Sequence, residues 1–117
     1  MNALQDLLAS GIAHKTAGEY DVAMRELEAV IAEDPECWQA HHELGLVLGF
    51  IGEFDRAVSE LRTAVAIAPE ATQPLLDLGL TLAMIGEDEQ AKEAFENVLR
   101  LDPGNVTAAK NLSYFTS

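Results

Sequence analysis

Several things are scarce in this chain of 117 residues. It has one cysteine, Cys37, so no internal disulfide can form and nothing points to an oxidising compartment. Basic side chains are few: seven Lys and Arg stand against twenty Asp and Glu, a net charge of -13 that repels phosphate backbones and anionic lipid. Nucleic acid is therefore not expected as a partner. No run of eighteen apolar residues occurs, and the opening MNALQDLLASG has no basic segment leading into an apolar block. Membrane insertion is not expected, and the cytoplasm is the default location. There is no phosphate loop, dinucleotide fingerprint or serine elbow.

Apolar residues, by contrast, make up 49% of the chain and recur at helical spacing, which argues against disorder. A chain of this length is expected to form a single domain, 1–117, that buries roughly two thirds of its unfolded surface. The strongest signal is internal repetition. AGEYDVA at 17–23, IGEFDRA at 51–57 and IGEDEQA at 85–91 are each displaced by 34 residues. At the same shift, Gly11, Gly45 and Gly79 form one column and Gly18, Gly52 and Gly86 a second. Others hold Ala23, Ala57 and Ala91, then Leu27, Leu61 and Phe95, then Pro35, Pro69 and Pro103. A fixed period in this range signals stacked supersecondary units.

Each column has a physical role. Gly18, Gly52 and Gly86 follow apolar helical stretches and suit the left-handed residue that closes a helix. The acids just beyond, Asp21, Asp55 and the run Glu87, Asp88 and Glu89, suit the start of the next helix, whose free amides favour negative charge. Each proline disfavours helix in the residue before it, so the second helix stops near there. Glycine inside a helix costs about 1 kcal/mol relative to alanine, so Gly11, Gly45 and Gly79 are predicted to mark close crossings. Ala23, Ala57 and Ala91 would face them, with Leu27, Leu61 and Phe95 a turn further on.

These columns resemble the tetratricopeptide repeat over nearly the whole chain. Where that family often has tryptophan, this sequence has Leu7, His41 and Leu75; where it often has tyrosine after the glycine, it has His14, Leu48 and Leu82. The resemblance implies an all-α, right-handed solenoid of three helix-turn-helix units, at about 4–37, 38–71 and 72–105, with a capping helix at about 105–117 in which Ser113 replaces the glycine. It also implies a non-enzymatic, cofactor-free module that binds protein, because in this family the first helices line a concave groove for partners. The inward positions that follow are Gln5, Leu8, Ala9, Ile12 and Lys15 in unit one. Unit two contributes Gln39, His42, Glu43, Leu46, Gly49 and Phe50, and unit three Gln73, Leu76, Asp77, Leu80, Ala83 and Met84.

One subgroup of the family grips the C-terminal carboxylate of chaperone partners with basic and amide side chains. Those positions here are Leu8, Ile12, Glu43, Gln73 and Asp77, so an incoming carboxylate is expected to meet two carboxylates and no cation. What remains is an apolar strip of Leu8, Ile12, Leu46, Phe50, Leu76, Leu80 and Met84, bordered by Gln39, Gln73 and acids. That suits an apolar or amphipathic segment of another protein, including one with basic flanks. The bland alternative makes the strip core between units; the alternative function is a homo-oligomer formed through the groove, the terminal helix or the stack edges. The acidic excess elsewhere reads as a solvated face.

Cys37, His41 and His42, with His14 from the preceding unit, are the cluster that invites a metal or a nucleophile. A zinc site wants four ligands, usually with paired spacings such as two cysteines separated by two residues, and there is no second cysteine; nor is a third group evident to orient the histidine. Neither metal nor catalytic residues are expected. Trp38 is expected to lie as a lid over the boundary between units.

Overall fold

The computed structural model describes residues 2–115, and no strand occurs among them. Seven helices follow one another: α1 (Ala3–Thr16), α2 (Tyr20–Glu33), α3 (Trp38–Phe50), α4 (Phe54–Ile67), α5 (Thr72–Met84), α6 (Asp88–Leu101) and α7 (Val106–Ser113). Consecutive helices pack as antiparallel hairpins, and each hairpin packs on the next. The molecule is drawn out along one axis, 47 Å against 26 and 21 Å, as a stack rather than a ball. It is a right-handed α-solenoid. The final two positions of the expected cap lie outside the described residues.

The repeated letters do what their chemistry allows. Gly18, Gly52 and Gly86 have φ of 80°, 85° and 83°, the left-handed conformation that reverses the chain between the helices of a hairpin. The amide of the following glutamate then bonds back to the helix just ended, Glu19 to His14 O at 2.8 Å and Glu53 to Leu48 O at 2.8 Å. Helices α2, α4 and α6 end two residues before their prolines. Asn2 caps α1 through Leu4 N at 2.9 Å, and Asn105 caps α7 through Ala108 N at 2.8 Å.

At the crossings the structure sharpens the expectation. A Cβ on Gly11, Gly45 or Gly79 would lie 2.9, 2.8 or 2.8 Å from Leu27, Leu61 or Phe95, so the bulky residue itself sits on the glycine rather than a turn beyond it. Ala57 takes part through its backbone, its O lying 3.3 Å from the same point on Gly45. Around the crossings lie two buried clusters. One joins Ala23, Leu27, Leu44, Val47, Leu48 and Ala57 across units one and two. The other centres on Phe95 and spans units two and three to Ala108 of α7. Phe115 stacks on Phe95 with ring centroids 6.3 Å apart, which ties the end of the chain to that core.

Candidate functional site

The first helices of the hairpins, α1, α3 and α5, carry the inward positions. Stacking grades them by depth. Leu8, Ile12, Leu46 and Leu80 are half-buried, whereas Phe50 and Met84 are 60% and 65% exposed at the ends of their helices. Leu76 departs from the expected strip: at 7% exposure it belongs to the core. It is packed in the buried cluster around Phe95, so for this residue the bland reading holds. Gly49 has no heavy atom within 4 Å of where a Cβ would stand, so this helical glycine leaves a gap in the face instead of serving a crossing. Gln39 and Gln73 are exposed at the helix starts.

The polar residues of the face are joined across the unit boundaries. Lys15 of α1 donates to Glu43 of α3 at 2.5 Å, with both side chains about 15% exposed. His42 of α3 meets Asp77 of α5 at 2.7 Å, and Gln73 donates to the same carboxylate at 3.3 Å. Glu43 and Asp77 occupy one repeat column, and each is met by a nitrogen base from the preceding unit. This corrects the expectation of two carboxylates without a cation: Lys15 neutralises the first, and the His42 ring is hydrogen-bonded to the second. Both pairs are part-buried, so removing one member would leave the other uncompensated.

The histidine cluster also resolves differently. His41 and His42 are sequence neighbours that point to different helices. His41 Nδ1 lies 2.9 Å from Glu60 of α4 and its Nε2 lies 2.8 Å from Pro35 O, so Glu60 is an orienting carboxylate that the sequence reading lacks. His14 meets Glu26 of α2 at 2.5 Å, and Ser10 donates to the other oxygen of that carboxylate at 2.7 Å. The Ser10 hydrogen bond, helped by His14 and opposed by partial desolvation, holds Glu26 below the usual carboxylate range. Cys37 sits apart, its sulfur 3.8 Å from Gln39. Each histidine thus fastens one helix to another. Trp38 stacks on His42 one turn along α3, centroids 6.3 Å apart.

No helix among the described residues is long and apolar enough to cross a membrane. Among known sequences, the tetratricopeptide repeat model matches residues 8–71, and a second model of the same description matches 51–113. No curated protein matches the chain. Among solved structures the fold is similar to MamA, at 26% identity and a TM-score of 0.91, over 97% of this chain and 66% of that one. It is also similar to the first such domain of Spaghetti (RPAP3) bound to an HSP90 peptide, at 24% identity and a TM-score of 0.92, over 97% and 90% of the two chains. A third likeness, of the fold alone, is to the type III secretion translocator chaperone SycD of Yersinia enterocolitica, at 15% identity, a TM-score of 0.91 and 99% and 93% coverage. Repeat columns, helix order, the glycine crossings and two overlapping family matches agree: the chain belongs to the tetratricopeptide repeat family.

Proposed function

We propose that this chain is a non-enzymatic binding module whose concave face, formed by α1, α3 and α5, receives an apolar or amphipathic segment of another protein. The observation that carries this reading is the gap at Gly49 beside half-buried Leu46 and exposed Phe50. A helical glycine with nothing against it weakens α3, and room for a guest side chain accounts for it. Ile12, Leu46 and Leu80 occupy one repeat column along the same face, and Tyr114, in register at the C-cap of α7 and 67% exposed, extends it. The Spaghetti domain is bound to an HSP90 peptide; at the positions where the carboxylate-gripping subgroup carries its basic and amide side chains, this chain has Leu8, Ile12, Glu43, Gln73 and Asp77. The two acids already have partners within the chain, so a carboxylate-ended ligand gains no cation there.

Affinity capture with the natural chain and with Leu46→Glu and Leu80→Glu tests the proposal. A partner lost from both variants, while their melting stays near that of the parent, supports it. Unchanged capture, or variants that melt as badly as a crossing variant, would show the strip to be core. A second reading, self-association, is favoured by Val106 at the start of the last helix and Tyr114 at its C-cap, 78% and 67% exposed. Light scattering decides it, since a monomer at high concentration removes it.

A further inference from the structure

Seven large apolar residues of the described chain are more than a third exposed, and four of them, Phe50, Ile51, Met84 and Ile85, fall at two matched positions 34 residues apart. All four lie where a first helix ends, along the edge that carries the hairpin turns. They alternate with acids. Phe50 stacks on Tyr20 of the unit-one turn with centroids 5.5 Å apart, between Glu19 and Asp21. Ile51 lines a hollow of about 420 Å³ with that turn. One unit further on, Ile85 lines a second hollow, of about 210 Å³, with Asp55, Val58 and Glu87. Glu53, Asp88 and Glu89 complete seven exposed carboxylates on the three turns. Two bases are near: Arg56 is turned onto Glu28 of α2 at 3.5 Å, and Arg62, which lines the second hollow, donates to the neutral Gln90.

Helix starts favour acids, and that could be their whole purpose. The magnitudes decide otherwise. Three helix N-termini bring about one and a half positive charges in all and Arg62 one more, against seven carboxylates, so the edge keeps a negative excess beside its apolar residues. A second copy of this chain would bring the same sign, as would anionic lipid, and both are repelled. We infer that the turn edge, which adjoins the concave face at Phe50 and Met84 and is marked off from it by Ile51 and Ile85, is a second docking surface for an amphipathic helix of another protein that carries lysine or arginine. Successive first helices stand about 10 Å apart, close to seven residues of α-helix. The two hollows therefore take apolar side chains about seven residues apart, with bases between them reaching the turns.

The test is a titration of the isotope-labelled full chain with a synthetic 18-residue helix that has leucines every seven residues and lysines between them. The expected amide shifts cluster at 18–22, 50–55 and 84–89, with affinity falling about tenfold as salt is raised from low to half-molar concentration. The double variant Ile51→Ser/Ile85→Ser should weaken binding at least about tenfold (roughly 1.4 kcal/mol) with its melting unchanged. Glu87→Gln/Glu89→Gln should weaken it less and flatten the salt dependence. The inference fails if the shifts fall on Ile12, Leu46 and Leu80 instead, or if a helix with glutamates for lysines binds equally well. It also fails if the isoleucine variant binds as the parent does, since the attraction is then charge alone, or if scattering shows copies pairing through this edge. Leu46→Glu leaves the edge intact, so failure here and failure of the concave-face proposal are separate results.

Discussion

The crossing inside each hairpin and the concave face beside it are built on the same three helices, yet they use repetition in opposite ways. At the crossing, Gly11, Gly45 and Gly79 repeat without variation because a Cβ would come within 3 Å of Leu27, Leu61 or Phe95. On the concave face the columns diverge: Lys15, Gly49 and Ala83 share one, and Ala9, Glu43 and Asp77 another. Close packing admits one solution, which every unit must repeat, whereas an accessible face leaves each unit free to differ. The difference teaches where to look in such a stack. Identity between units marks construction, and variation marks what the individual protein does.

Four substitutions break or sharpen that contrast. The largest effect is expected from Gly45→Leu, which forces carbon atoms against Leu61 and the Ala57 carbonyl; a loss of about 3 kcal/mol, at the upper end for overpacking, should appear in chemical denaturation. Leu46→Glu, one residue away but half-buried on the concave face, should cost about 1 kcal/mol by the same measurement while removing captured partner. If the two variants melt alike, the contrast collapses. Gly49→Ala is expected to go the other way. With no atom near its Cβ it should gain up to about 1 kcal/mol through helix propensity, while filling the gap weakens partner binding. The smallest effect belongs to Ser10→Ala, away from both regions. Glu26 is held low chiefly by the Ser10 hydroxyl, so it contributes stability that is full at neutral pH and is lost as pH falls through its lowered value. The variant should titrate Glu26 closer to the usual carboxylate range by NMR, with its stability difference from the parent vanishing in strong acid.

What the sequence made legible follows from the same contrast. The hairpin turns could be read because a left-handed residue must be glycine, and the crossings because a helical glycine needs a reason. The concave face was less accessible. Lys15 and Glu43 are 28 residues apart, and His42 and Asp77 are 35 apart, so each pair forms only after two units have stacked, at an angle that no local pattern encodes. Leu76 turned out to be core for the same reason, since the twist between units decides how much of a first helix faces outward. His41 needed Glu60 of α4 and the Pro35 carbonyl, which periodicity cannot associate with it. The apolar residues of the turn edge were visible singly; only the fold sets Ile51 against one acidic turn and Ile85 against the next.

Every hairpin touches only its immediate neighbours, and that restriction governs how the molecule comes apart. Among the described helices the central pair, α3 and α4, is flanked by a hairpin on both sides, whereas α1 and α7 pack on one side. Unravelling should therefore proceed inward from the extremities like a frayed rope, with amide exchange slowest in the middle of the chain and fastest toward its tips. A ligand bridging α1 to α5 would clamp all three hairpins at once, so its grip would register as slowed exchange in α2, α4 and α6, which it does not touch.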